Sequence, residues 1–462
     1  MEYRIEKDFL GEKEVPLEAY WGIHTQRAIG NFSLTDYKAD PLLVKSLAFV
    51  KKASCQANLE LGYLGNNKAQ AIIQACEEVS EGRFNGQFPL DALQGGAGTS
   101  TNMNANEVIA NRAIELLGGS KGDYSIVSPT GDVNLHQSTN DVYPTALKIA
   151  CIFSLRELSC AIEGLQGEFQ KKEKEFADMV KVGRTELQEA VPMTLGLEFG
   201  AFAEAFARDR WRTFKCEERL RTVNLGGTAI GTGITAPKKY IFLVIEKLRQ
   251  VTGLGLARGE NVLDLTANSD SFVEVSATLK ACAVNMIKIC GDLRLLNLLG
   301  EISLPKVQAG SSIMPEKVNP VILEAAIQGS LKVLSNDTLV AEAVSRSSLQ
   351  IPEFIPLLAF SILESMRILA NTAGMLKDHV GAIKADEACA RKYFDRNPMI
   401  ITAFLPLLGY EKAGDVLEEF FASGKENLRE FLITKLGKAT VDRVLSAQNL
   451  TSLGYREDEQ HT

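Results

Sequence analysis

A chain of 462 residues is too long for one compact core, so two or three packed regions are expected. Apolar residues make up 45% and charged residues 23%, the balance of an ordinary globular protein. The net charge of −8, from 50 Lys+Arg against 58 Asp+Glu, disfavours a nucleic-acid binder, and no long basic run offsets it; a local positive site for a small anion remains compatible.

The charged opening Met1-Glu-Tyr-Arg-Ile-Glu-Lys-Asp8 lacks the apolar segment of a signal peptide, and no run of about 18 apolar residues suggests a membrane span. Eight cysteines are scattered without a CxxC pair, which reads as buried reduced thiols rather than disulfides or zinc ligands. With only four histidines (His24, His136, His379 and His461), a three-His metal site is not expected. The expectation is a cytoplasmic protein without a metal.

Residues 1–138 mix short helical patterns with Gly-rich connections and read as a mixed, mostly helical N-terminal domain. Residues 139–390 read as long amphipathic helices, near 142–175 and 190–220 among others. Ser271-Phe-Val-Glu274 resembles a capping box. After it, Phe272, Val275, Leu279, Cys282, Met286, Cys290 and Leu293 recur at three- and four-residue steps. A further helix should start with Asn319 as N-cap and Pro320 in the first position. Helices this long must bury their stripes against each other, so a central bundle is expected. Residues 391–462, punctuated by Asn397-Pro398 and Gly409, form a small helical C-terminal domain.

Four polar islands interrupt the apolar pattern. In Gln94-Gly-Gly-Ala-Gly-Thr-Ser-Thr-Asn-Met-Asn104, glycines let backbone amides approach a ligand, and Thr99, Ser100 and Asn102 add donors. It lacks the ending of a phosphate-binding P-loop, and by itself it reads equally as a capped turn. His136-Gln-Ser-Thr-Asn-Asp141 is a second cluster of short donors, in isolation a helix cap. In Gly183-Arg-Thr-Glu-Leu-Gln188, Arg184 and Thr185 could hold an anion and Glu186 a cation, a salt bridge being the plainer reading. The fourth, Gly310-Ser-Ser-Ile-Met-Pro-Glu-Lys-Val-Asn-Pro320, joins a flexible Gly-Ser-Ser segment to Lys317 and Asn319 just before a helix N-terminus. A cation, an amide and a helix dipole there suit a carboxylate or oxyanion. No histidine lies nearby in sequence to activate Ser311 or Ser312.

Taken in order, these islands resemble the aspartase/fumarase superfamily. Its signature Gly-Ser-Ser-x-Met-Pro-x-Lys-x-Asn-Pro stands at 310–320, and the likeness extends through Asp8-Phe-Leu-Gly-Glu12 and Gly227-Thr-Ala-Ile-Gly-Thr-Gly233. The resemblance implies a mainly α, three-region fold whose long-helix bundle is shared in a homotetramer, each site combining segments of three subunits. It implies a cofactor-free anti elimination on a small carboxylate substrate: a base takes the Cβ proton and an amine leaves Cα. By the same resemblance Ser311 is the base. Thr99, Ser138, Thr139 and Ser312 hold the carboxylate beside the carbanion. Thr185, Met314, Lys317 and Asn319 hold the α-carboxylate, and Asn140 lies near the departing nitrogen.

The chain departs from the family pattern in four places. Glu186 stands where His or Gln is usual, His136 where a small or hydroxyl residue is usual, and Glu316 where Gly or Ala is usual. Leu296-Asn-Leu-Leu-Gly-Glu301 is shorter than the usual Ser-Gly-Pro-Arg-x-Gly segment. A carboxylate at 186 suits a cationic leaving group, and His136 suits an imidazole-like group. The first expectation is therefore a changed substrate such as ergothioneine, losing trimethylamine to give thiourocanate, with Lys384 a candidate proton donor to the ring or else an exposed turn lysine. Elimination of ammonia from L-aspartate is the alternative, fumarate hydration the third reading, and a catalytically silent structural member the reading of a different class.

Overall fold

The N-terminal residues pair as a hairpin before any helix begins: β1 (Tyr3–Asp8) runs antiparallel to β2 (Gly11–Pro16), with Asp8 opposite Gly11. Helices α1 (Ile23–Asn31), α2 (Pro41–Glu60), α3 (Asn66–Ser80) and α4 (Thr99–Leu116) follow. Asp40 starts α2 by accepting the Leu42 N–H, and Pro41 fills the first turn, where its missing N–H costs nothing. Then come α5 (Thr139–Glu175), the hairpin β3 (Val180–Thr185) and β4 (Gln188–Thr194), and α6 (Leu195–Leu220). Next are α7 (Lys238–Thr252), α8 (Val262–Ala267), α9 (Asp270–Leu299), α10 (Val321–Ser345), α11 (Ile355–Gly381) and α12 (Glu387–Arg396). Short helices continue to Ala447–Leu450. This computed structural model describes residues 2–455; His461 lies outside them.

The chain divides into two compact units, one of Met1–Ser159, Trp211–Ala281 and Lys332–Leu369, the other of Cys160–Arg210, Cys282–Leu331 and Ala370–Thr462. The boundaries fall inside α5, α6, α9, α10 and α11, so each unit holds a portion of the same five long helices. In the first unit Arg156 of α5 grips Glu217 of α6 through two bonds of 2.9 and 2.8 Å. There Asp337 of α10 accepts from Ser276 of α9, and Asn336 reaches the Ser361 carbonyl and Glu364 of α11. In the second unit Phe169 of α5 packs among Phe199, Phe202 and Phe206 of α6. Val180 and Val182 of β3 join a C-terminal core of Phe394, Ile400, Phe404, Phe420 and Phe431.

The apolar stripe of α9 is buried at all seven positions from Phe272 to Leu293, as a helix that must hide one face requires. Two local expectations are corrected. α9 begins at Asp270, so Ser271 lies inside the helix and is not its cap. α10 begins at Val321: the Pro320 carbonyl accepts the Glu324 N–H, and the Asn319 side chain is bonded elsewhere. α11 is long and apolar enough to cross a membrane by length and composition, as a core helix also can be, and 61% of its most apolar stretch is buried inside the structure. No disulfide joins any of the eight cysteines, six of which are buried, Cys389 partly so and Cys160 exposed.

Candidate functional site

The first two islands and the Gly227–Gly233 segment lie in the first unit, where one buried polar network ties them together. Gly98 precedes α4 with φ +84°, and a Cβ there would stand 2.5 Å from the Tyr143 ring, so the turn into Thr99 needs glycine on both counts. Ser100 and Asn102 are buried. Asn102 Nδ2 donates to Thr139 Oγ1 at 3.1 Å and to Asn134 Oδ1 at 3.3 Å. Asn134 Oδ1 also accepts from Lys51 Nζ at 2.8 Å, and Lys51 donates again to Gln137 Oε1 at 2.9 Å. Four residues after Gln137, Asp141 accepts from the N–H groups of Ser138, Gly226 and Thr228 at 3.0, 3.0 and 2.9 Å. Burial lowers the Lys51 ammonium and raises the Asp141 carboxyl, each shift opposed by the other's charge.

Within that frame the short donors are oriented rather than loose. Thr139 Oγ1 accepts from Asn102, which leaves its own O–H to donate outward. Ser138 Oγ accepts the Asn140 N–H at 3.3 Å, and Asn140 Nδ2 donates to the Ala229 carbonyl at 2.7 Å while keeping a second N–H. His136 has φ +61°. Its Nδ1 lies 2.7 Å from Asn58 Oδ1, and its ring packs against Tyr63 and Tyr240. Because Asn58 Nδ2 faces the Leu135 carbonyl, its oxygen faces the histidine, so Nδ1 is the protonated nitrogen. Burial lowers the His136 pKa and favours this neutral form.

The other two islands lie in the second unit. Thr185 ends β3, and Glu186 and Leu187 form a two-residue hairpin turn with φ +51° and +62°, the geometry that ordinarily selects Asn-Gly. Thr185 and Glu186 are exposed, whereas Arg184 is turned inward onto the fully buried Glu301, Nη1 to Oε1 at 2.7 Å. Arg184 is therefore not free to hold an anion. In the fourth island the chain closes on itself. The Gly310 N–H donates to the Lys317 carbonyl at 2.7 Å, and Asn319 Nδ2 donates to the Gly310 carbonyl at 2.9 Å. A Cβ on Gly310 would come within 2.9 Å of both the Asn319 nitrogen and the Lys317 carbonyl oxygen.

Ser311, half-exposed, sits at the mouth of this closure, and its Oγ accepts the N–H groups of Ile313 at 3.2 Å and Met314 at 2.8 Å. Ser312, Met314 and Lys317 are exposed, and Lys317 has no ion-pair partner among the described residues. Lys384 is exposed on a short strand that pairs Ser303, at the root of the same loop. Two amides aimed at one hydroxyl oxygen stabilise negative charge on it, which lets a serine lose its proton without a histidine.

Of the eight non-glycine residues with positive φ among the described residues, Ala97, His136, Glu186, Leu187, Thr228 and Glu316 all fall in these islands or the Gly227 segment. Each costs on the order of 1–3 kcal/mol and persists only where its surroundings over-determine it, a pattern concentrated at functional sites. The sequence reading passed over Lys51, Asn134 and Glu301. Polar or charged residues in otherwise apolar segments were the available signal.

A family model described as lyase matches residues 11–335. Along its length the chain is 44% identical to the aspartate ammonia-lyase of a Bacillus species, covering 98% of each. It is 43% identical to the Escherichia coli K12 aspartate ammonia-lyase, covering 98% of this chain and 97% of the relative. A crystal structure described as fumarate lyase:delta crystallin from Brucella melitensis, bound to cobalt, superposes with a TM-score of 0.94 at 43% identity, covering 98% of this chain and 100% of that one. A class II fumarase from Schistosoma mansoni superposes at 0.91 with 29% identity, covering 97% and 99%.

Proposed function

Because the chain belongs to the aspartase/fumarase superfamily of lyases and is a carbon–nitrogen lyase, we propose that it eliminates ammonia from L-aspartate to give fumarate, with Ser311 as the base. One observation carries the chemistry: Ser311 Oγ receives two backbone N–H groups inside a loop closed by Gly310, Lys317 and Asn319. Deprotonated there, Ser311 takes a Cβ proton. The electron pair moves onto the adjoining β-carboxylate, where the O–H donors of Thr99, Ser138, Thr139 and Ser312 stabilise the developing charge. Collapse of that carbanion forms the double bond and expels the amine from Cα beside Asn140. Thr185, Met314, Lys317 and the remaining N–H of Asn319 hold the α-carboxylate. Ser100 and Asn102 act beneath these groups, Asn102 by orienting Thr139. The exposed loop closes over substrate and excludes water, which strengthens each dipole.

The whole-length likeness to aspartate ammonia-lyases favours aspartate over the betaine suggested by Glu186 and His136, and the Asn58–Tyr63–Tyr240 setting of His136 gives that residue a local packing role. The betaine reading keeps one structural support, the exposed Glu186 carboxylate next to Thr185. In it, Lys384 would protonate the ring. Assembly as a homotetramer is part of the proposal, and sedimentation of a monomer under assay conditions would defeat it. The substrate is tested by following ultraviolet absorbance with L-aspartate and separately with ergothioneine. Fumarate formation is the expected result. Thiourocanate from ergothioneine with aspartate inert would overturn it and return Glu186 to the leaving group.

A further inference from the structure

One buried carboxylate joins the hairpin that carries Thr185 to the root of the loop that carries Ser311. Glu301, fully buried, follows Gly300, whose φ of +77° ends α9. Its Oε1 accepts from Arg184 at 2.7 Å, and its Oε2 lies 2.9 Å from Lys181 Nζ, which pairs in addition with Glu198. Lys181 and Arg184 both belong to β3. They reach the same carboxylate because the β3–β4 register shifts between Val182 and Arg184, a bulge that re-aims one side chain. Gly183 permits the shift: a Cβ there would meet the Val191 carbonyl oxygen at 2.9 Å. The Arg184 guanidinium also lies 5.3 Å from the Tyr393 ring centre. On the main-chain side, the Glu301 carbonyl accepts the Asp386 N–H at 2.9 Å, and the next residues, Ile302 and Ser303, pair with Ala385 and Lys384.

A carboxylate and two cations taken out of water are costly and contribute little net stability compared with apolar packing, so their expense fits a role in orientation. We propose that Glu301 is a positioning residue for the elimination. Its side chain holds the hairpin tip that presents Thr185 and Glu186, and its backbone anchors the strand leading into the Gly310–Asn319 loop, so that one buried carboxylate sets the position of both segments of its chain. This rests on the roles given above to Thr185 and Ser311.

The test compares wild type with Glu301→Asp, Glu301→Gln and Arg184→Lys in kcat, KM, melting temperature and the rate of tryptic nicking after the exposed Lys306 and Lys317. A displaced reactive geometry costs on the order of 10²-fold, so Glu301→Asp, which keeps the charge but shortens its reach, should lose about that factor in kcat/KM through both constants. Nicking at Lys317 should accelerate in the same folded protein. Arg184→Lys, which loosens only the hairpin, should raise KM with little change in kcat. If Glu301→Gln does not fold, the other two variants decide. A folded Glu301→Asp with unchanged kcat, KM and nicking, and only a lower melting temperature, overturns the proposal. Ser311→Ala run in parallel separates the two levels: an active Ser311→Ala defeats the assignment of the base, whereas an inactive one beside an unaffected Glu301→Asp defeats the clamp alone.

Discussion

The donor islands of the first unit and the Gly-Ser-Ser loop of the second solve opposite problems. Ser138, Thr139 and Asn140 stand on a frame with fully buried Lys51 and Asp141, cross-linked through Asn102 and Asn134, and nothing in that frame can turn without breaking several bonds. The loop is mostly exposed and is held by its own backbone and the Asn319 amide. Groups that receive charge gain from being fixed in advance, because no reorganisation is then needed as the charge forms. The group that must meet the substrate, and let product go, gains from standing on a segment with few buried contacts.

That contrast can be broken at either end. The largest expected effect is on rate: Ser311→Ala should lower kcat by roughly 10²–10⁴ while leaving the thermal melt unchanged, since the side chain supports only its own loop. Activity and melting curves on the same preparation check it. Lys51→Met should do the reverse. It leaves the part-buried Asn134 and Gln137 oxygens without that donor, at a cost of roughly 1–3 kcal/mol seen in denaturant unfolding.

A smaller effect belongs to His136. Its pKa is lowered by burial, so below about pH 6.5 the unfolded chain binds a proton that the folded chain refuses, and stability falls as pH falls. His136→Asn, which tolerates the left-handed backbone, should flatten that loss when melting temperatures on either side of neutral are compared. The smallest is Leu187→Gly, expected to stabilise by about 0.4–1 kcal/mol because φ +62° costs glycine nothing; an unchanged or lower melting temperature would count against strain at the turn.

Where one side chain repeats the same physical demand at regular steps, the sequence was readable: the α9 stripe from Phe272 to Leu293 is buried as its periodicity requires. The motif at 310–320 was readable as chemistry but not as geometry. Asn319-Pro320 has the form of a helix start, yet the asparagine amide staples the loop by reaching back nine residues to Gly310. The hairpin at 180–194 was missed because Glu186-Leu187 carries no turn residue and the bulge at Gly183 erases the alternation of β3. Glu301 was missed because a charge in an apolar segment declares its partners only when a strand over a hundred residues earlier, at Lys181 and Arg184, folds onto it.

The two amides on Ser311 also bear on the reaction run backwards. They engage both lone pairs of the neutral Oγ, so that its hydroxyl acts toward a ligand as a donor. A serine in that state has the wrong protonation to start an elimination and the right one to finish an addition, because the proton lost in one direction is the proton delivered to carbon in the other. The protonated serine is the form that completes addition and the deprotonated serine the form that begins elimination, with the equilibrium between the two acids unchanged. The same oxygen serves both directions.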